Sequence, residues 1–554
     1  MILGLDVGGT QTDTVVIEGT DVIVETKTPT GNDLLSTLRD ALEKTLADID
    51  PAKISRMAFS TTMATNAIAQ DSLDQAGMIV SAGPGMNPDW FSVGPSYHVV
   101  EGCLDHQGLE ALPLKKESVL DATASIREKG INTIGIVGKF SVHNPVHEEQ
   151  IKAWVGTAFS HVALGHQVSG ILNFPRRITT TYLNAALYGL HHRFSNSLTR
   201  ILDEKGLHSH RFLLKPDGGT MELDKTIGSP ARTAQSGPAA SVMGALALDG
   251  CKGTTLVLDI GGTTTDMSVV LDGVPLRAPY GIRLGPFRTL IRSLLTRSIG
   301  LGGDSEVRTG KDGHLIIGPL RKGMPVAFGG PSPTPTDAMI TLGVLDTGNK
   351  EAAKEAMENL GRPFKWDAPK TAESVLEHMA RSIAEEARAF LSYLNSRPVY
   401  TIHEVLHEEK IEPASVVIIG GPAPQIADYV GKALDLPYRV PGHFAVANAV
   451  GAAVARVTSE LTLQADSERG TVVIPEADIQ NKMEVGFSMD DAMSLAGDVL
   501  KKQAVEIGAD PRALDISVTE KQVFNMIRGY SRTGRNIRLR MCITPGLISE
   551  WKIN

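Results

Sequence analysis

The sequence predicts an α/β protein of two equivalent lobes, with a smaller α/β unit appended on the C-terminal side. The pattern D-x-G-G-T-x-T-D occurs twice, as Asp6-Val-Gly-Gly-Thr-Gln-Thr-Asp13 and as Asp259-Ile-Gly-Gly-Thr-Thr-Thr-Asp266. Apolar, β-prone runs flank both copies, so each reads as a hairpin with Gly-Gly-Thr at its tip. Strand-like and helix-like runs alternate through most of the chain, as layered α/β folds require. The expected divisions are residues 1–250, 251–460 and 461–554.

Each element follows from local pattern. Ile2 to Asp6, Thr14 to Ile17 and Val22 to Thr26 are strand candidates, with Glu18-Gly19 as a turn signal. A helix is expected from about Asp33 to Asp48, where Leu34, Leu35, Leu38, Leu42 and Leu46 recur at helical spacing. Strands near Met78 and Ile134 follow, then a long helix near Ile178 to Leu202 that should cross towards the second lobe. The hairpin pattern returns at Leu256 to Leu258 and Met267 to Leu271, and helices near Ala372 to Ser396 and Ala445 to Ser459 close that lobe. Val472 to Pro475 and a helix over Met489 to Ile507 mark the appended unit, which carries no functional reading.

The repeated loop has specific chemistry. Paired glycines let backbone approach a ligand with no Cβ in the way, and successive free N–H groups form a nest for phosphate oxygens. Gly8, Gly9, Gly261 and Gly262 supply that backbone, and Thr10, Thr12, Thr263 and Thr264 bring hydroxyl groups to the same loops. Asp6 and Asp259, at the strand ends, would repel phosphate unless a cation such as Mg²⁺ lay between, with K⁺ or Mn²⁺ as the other cations to be expected. Asp13 and Asp266 either support that pair or simply hold the hairpins. Further on, Ser415 to Ile419 ends in Gly420-Gly421-Pro422, a strand-to-helix turn offering flat backbone on which a base can lie.

Bulk properties agree with a soluble globular protein. The chain has 554 residues, a net charge of −9, 42% hydrophobic and 21% charged residues. The mixed, slightly acidic balance gives no basic face for nucleic acid. No run is long and apolar enough for a membrane span, and the start lacks a basic, apolar leader, so cytoplasm is the expected compartment. Cys103, Cys251 and Cys542 are too scattered for a disulfide framework or a metal cluster.

Phosphate loop, second phosphate loop and glycine turn, in that order, resemble the actin/Hsp70/sugar-kinase superfold. Intervening segments narrow the resemblance to the hydantoinase/oxoprolinase family, its A subunit in particular. They are Ser60-Thr-Thr-Met-Ala-Thr-Asn-Ala67, Asn144-Pro-Val-His-Glu148, Arg177 to Ala185, Asp217-Gly-Gly219, Ser236-Gly-Pro-Ala239 and Pro335-Thr-Asp-Ala338. The resemblance implies two RNase H-like (actin-type) lobes, ATP in the cleft between them, and ATP-driven phosphorylation of a cyclic-amide oxygen before C–N cleavage. Hydantoin, N-methylhydantoin or 5-oxoproline would be the type of substrate, and a separate B subunit and a homo-oligomer are the expected partners. Asp6 and Asp259 would serve catalysis and Mg²⁺, and Gly420 and Gly421 the adenosine. The family's Gly-x-Gly-Gly-Gly-Ser appears as Gly300, Leu301, Gly302, Gly303, Asp304 and Ser305, so a carboxylate stands where the family keeps glycine. A small-molecule kinase and an ATP-gated activator or assembly protein are the alternatives.

On the substrate side, Thr62, Thr65 and Asn66 follow a strand, where they could bond a polar ring or cap a helix. His147 could be an acid, base or metal ligand, or sit with Glu148 in a helix's first turn. Arg177 could meet a carboxylate or be an exposed helix-start residue. His403-Glu-Val-Leu-His407 fits a zinc-protease pattern. Its place just before the Gly420 strand, in a charged run, instead predicts a surface helix.

Overall fold

The computed structural model describes residues 1–31, 33–310, 314–396, 410–528 and 530–551; the His403–His407 match lies outside the described residues. Strands Ile2–Val7 and Gln11–Glu18 pair antiparallel, with Asp6 opposite Asp13, and Asp21–Pro29 continues the meander. Arg56–Thr61 and His210–Leu214 then add in parallel on the other side, completing a six-stranded sheet with Thr220–Glu222. The second six-stranded sheet repeats this plan. Thr254–Ile260 and Thr265–Leu271 form its hairpin, with Asp259 opposite Asp266, and Ser415–Ile419 and Tyr438–Arg439 extend it in parallel. The repeat seen in the sequence is a repeat of topology: two actin-type lobes.

Both faces of the first sheet are covered at its centre, so Ile2–Val7 and Arg56–Thr61 are buried nearly throughout rather than alternately, while the edge strand Asp21–Pro29 stays largely exposed. Leu3, Leu5 and Val7 pack with Leu38 and Leu42 of helix Leu34–Thr45 and with Leu198, Ile201 and Leu202 of helix Phe174–Glu204. On the opposite face Val15 and Ile17 meet Ala449, Val450 and Ala453 of helix Ala447–Val454. Gly4 makes room there, since a Cβ would fall 2.3 Å from the Ala449 carbonyl oxygen.

Helix Ala447–Val454 crosses helix Ser236–Asp249, and this crossing joins the lobes. It is close because it is made of small residues. A Cβ on Gly244 would lie 2.1 Å from Ala447 O, and one on Gly451 2.3 Å from Ala240 O.

The strands near Met78 and Ile134 do not extend the first sheet. Gly77–Ser81, Ser96–Val99, Thr133–Gly138 and His161–Leu164 build a separate four-stranded parallel sheet. Helix Phe174–Glu204 does not carry the chain into the second lobe either. Its first half packs beneath this extra sheet through Ile178 and Leu183, and its second half beneath the first sheet. Residues 460–543 form a five-stranded antiparallel sheet backed by helix Met489–Glu506. Among the described residues no helix is long and apolar enough to cross a membrane.

Candidate functional site

The two hairpin tips close in the same way. Gly8 N–H donates to Gln11 O at 3.0 Å and Gly261 N–H to Thr264 O at 2.9 Å. Gly9 and Thr10 are exposed and Gly261 to Thr264 half-buried, so the first tip is open and the second partly covered. Thr12 does not: it is fully buried and its hydroxyl pairs with Thr30 Oγ1 at 3.0 Å, which fixes the hairpin instead of facing a ligand.

Behind the tips the four repeat aspartates gather. Asp259 Oδ2 accepts from Ser241 Oγ at 2.6 Å and from Asn448 Nδ2 at 3.2 Å. Asp6, only 7% exposed, lies beside Ser60 and the same Asn448, whose side chains favour its ionised form. Burial pushes the Asp6 carboxyl up to about 7 against the pull of Ser60, with Asp13 and Asp259 adding repulsion. Burial likewise raises Asp266 to about 7, helped by Asp259, and its Oδ1 is buried without a hydrogen-bond partner. Asp13 is raised by burial but is restrained by Lys27, whose Nζ lies 2.7 Å away. Buried carboxylates that repel one another, one with an orphaned oxygen, fit a hard divalent cation with oxygen ligands.

The glycine-rich segments complete the cleft. Gly303 N–H donates to Gly261 O at 2.9 Å and Asp304 N–H to Gly262 O at 2.7 Å, laying residues 302–304 on the second tip. Gly302 has to be glycine, because a Cβ would sit 2.6 Å from Gly261 O; at Gly300 it would instead contact Pro319. Gly420 takes a left-handed φ of 95°, and its missing side chain lets the turn pack against Ile260, where a Cβ would fall 2.3 Å from the carbonyl oxygen. Gly9 and Gly421 differ, since a Cβ on either would meet nothing within 4 Å. Packing does not explain them.

The substrate-side candidates separate into two groups. Thr62 caps helix Met63–Ala69 without a side-chain capping bond, and Asn66 Nδ2 donates to Thr62 Oγ1 at 3.3 Å. Thr65 Oγ1 accepts from Gln235 N–H at 2.7 Å, tying this turn to the start of helix Ser236–Asp249. Ser236 in turn pairs with Ser60, the residue opposite Asp6. These residues therefore adjoin the first hairpin. His147 and Arg177 lie instead inside the four-stranded sheet's polar core. His147 pairs with Ser81 Oγ at 3.1 Å and Glu110 Oε1 at 3.0 Å, and Arg177 donates to Ser141 Oγ at 2.6 Å. Both are fully buried, so Arg177 is not an exposed helix-start residue and neither side chain is presented to the cleft.

Asn448, Ser241 and Arg321 were not foreseen. Asn448 had a signal, being a lone amide within the apolar run Phe444 to Val454.

The hydantoinase/oxoprolinase profile matches residues 177–461, and that of the hydantoinase/oxoprolinase N-terminal region matches residues 2–158. The chain belongs to the hydantoinase/oxoprolinase family. Within the family it is 25% identical over 455 residues to the caprolactamase subunit alpha of Pseudomonas jessenii, covering 76% of this chain and 64% of that one. It is 24% identical over 450 residues to the acetophenone carboxylase gamma subunit of Aromatoleum aromaticum, covering 69% and 60%. This hydantoinase/oxoprolinase chain thus spans less than two thirds of either relative's length. The crystal structure of the ATP-dependent caprolactamase from Pseudomonas jessenii superposes with a TM-score of 0.71, at 18% identity, over 100% of this chain and 88% of that one. That likeness concerns the fold.

Proposed function

We propose that the chain is the nucleotide-binding component of an enzyme that uses ATP to open a cyclic amide of the hydantoin, N-methylhydantoin or 5-oxoproline type. One observation carries the reading: matching aspartates of two phosphate-type hairpins, Asp6 and Asp259, converge on one amide, Asn448. Gly9, Thr10, Gly262 and Thr263 would take the phosphates through backbone N–H groups and hydroxyls, with Gly8 and Gly261 closing the tips, and Gly420-Gly421 the adenosine. Asp6 and Asp259 would hold Mg²⁺, with Asp266 as reserve charge; bound there, the ion neutralises phosphate charge.

An unstrained ring amide is a poor electrophile. The amide oxygen attacks the γ-phosphorus, its bond forms as the bond from γ-phosphorus to the ADP oxygen breaks, and ADP leaves. Water then adds at the activated ring carbon, the C–N bond breaks as nitrogen takes up a proton, and a second water displaces phosphate, with the former amide oxygen, from the resulting acyl phosphate to leave the carboxylate. Such transfer needs aligned charge more than covalent help, which rigid loops on two facing sheets provide. The caprolactamase relative supports amide chemistry, and subunit names among the relatives support a separate partner subunit. The acetophenone carboxylase relative favours a second reading, in which the oxygen phosphorylated belongs to a carboxylation substrate.

Phosphate release from Mg-ATP, measured over a panel of cyclic amides with and without a candidate B subunit, tests this. Release that depends on a cyclic amide supports the first reading, and release that depends on ketone and bicarbonate the second. A stable phosphorylated product would point to a kinase. Turnover indifferent to every small molecule would point to an activator.

A further inference from the structure

Asp304 and Arg321 form a pair that leans on the second hairpin tip. Asp304 Oδ2 lies 2.8 Å from where a Gly262 Cβ would be, so a carboxylate stands against the very backbone expected to receive phosphate. Left alone it would repel that phosphate. It accepts from Arg321 Nη2 at 3.0 Å and from Thr336 Oγ1 at 3.1 Å. The same guanidinium donates through Nε to Gly323 O at 3.2 Å and through Nη1 to Thr263 Oγ1 at 3.3 Å. Two firmer bonds thus hold the fork in place while its third touches the hydroxyl at the tip. With 24% of its side chain exposed, Arg321 is not sealed off by these partners.

The two hairpins are not equivalent in this respect. At the first, Lys27 is engaged by Asp13 and the Ala445 carbonyl. At the second, Asp266 keeps an orphaned oxygen and the nearby cation reaches the tip instead. A guanidinium bonded to Thr263 Oγ1 is within reach of any oxygen that Thr263 also binds, and its planar fork matches phosphate.

We propose that Arg321, oriented by Asp304, is the residue that recognises the terminal phosphate of the nucleotide and neutralises its charge during transfer. The inference rests on the nucleotide-binding reading above and adds to it a residue that discriminates triphosphate from diphosphate.

Calorimetric titration of wild type, Arg321→Gln and Arg321→Lys with Mg²⁺ plus either ADP or a non-hydrolysable ATP analogue tests it. Arg321→Gln is expected to weaken the analogue about tenfold or more while changing ADP by less than about threefold, the loss of one charged phosphate contact. Arg321→Lys, which keeps charge but not the fork, should fall between, and serves if the glutamine variant does not fold. Equal weakening of both nucleotides, or an unchanged ratio, would mean that Arg321 only braces the loop, and would overturn the inference while leaving nucleotide binding intact. A wild-type protein that binds neither nucleotide would overturn both readings.

Discussion

The side-chain amide of Asn448 donates to Asp259 Oδ2 at 3.2 Å and also serves Asp6, the matching aspartate of the other lobe. One residue of the crossing helix Ala447–Val454 thereby ties the two hairpins to the lobe junction. Replacing it removes a polar neighbour from both aspartates at once. Asn448→Ala should lower ATP turnover about 10- to 100-fold, the cost of losing hydrogen bonds to charged groups. Steady-state phosphate release, read beside the melting curve, checks this; wild-type turnover would show that the aspartates do not need the amide.

The crowded carboxylates make a pH prediction. Asp6 and Asp266 have folded values near 7 against an ordinary 3.8. Between those limits the folded protein holds protons that the unfolded chain has released. Stability of the metal-free protein therefore falls as pH rises from about 4 to 7, by up to about 1.4 kcal/mol per pH unit per carboxyl. Melting temperatures measured across that range should decline, and millimolar Mg²⁺ should flatten the decline. A decline unaffected by Mg²⁺ would mean that the ion binds elsewhere.

A second pH window belongs to another contact. His166, fully buried, bridges Glu148 Oε2 at 2.6 Å and Asp478 Oδ1 at 2.7 Å, joining the four-stranded sheet to the C-terminal unit. Burial alone would lower its value, but the two carboxylates, with Glu149 Oε1 3.7 Å away, carry it up to about 9. A raised histidine contributes stability that is whole below about 6.5 and is lost as pH rises towards 9. His166→Gln should cost about 3 kcal/mol at pH 6, the scale for breaking a buried ion pair, and should erase the decline between 6.5 and 9. If the variant's melting temperature declines over that interval as wild type does, the contact is not the source.

The hairpins were legible because their chemistry is local: two glycines, a threonine and strand-end aspartates fix a tip whatever surrounds it. Repetition then revealed the pairing of lobes. The extra sheet was not legible, because Thr133–Gly138 and Gly77–Ser81 are buried on both faces and show no alternation from which to read register. His147 and Arg177 misled for a related reason. A polar side chain satisfied inside a sheet leaves the same mark in sequence as one awaiting a substrate. Asn448 depended on a helix crossing that only tertiary packing of Gly244, Gly451 and their alanine neighbours creates.

The glycines provide the last and sharpest division between structure and function. Gly244 and Gly420 are held by packing: a Cβ would strike Ala447 O at 2.1 Å in the first and Ile260 O at 2.3 Å in the second, where φ is 95° as well. Backbone cannot yield cheaply, so Gly244→Ala and Gly420→Ala should each cost about 2–3 kcal/mol and lower the first thermal transition by several degrees. At Gly9 and Gly421 an alanine meets no atom within 4 Å, and neither φ is left-handed. Gly9→Ala and Gly421→Ala should therefore leave stability within about 0.5 kcal/mol. Nucleotide is a different matter, because the added methyl would occupy the space through which phosphate or base must approach the backbone. Calorimetry with Mg-ADP should show affinity down about tenfold or more in both variants. Two stable proteins that bind nucleotide as wild type does would leave these glycines as ordinary turn residues, and the cleft without its proposed ligand.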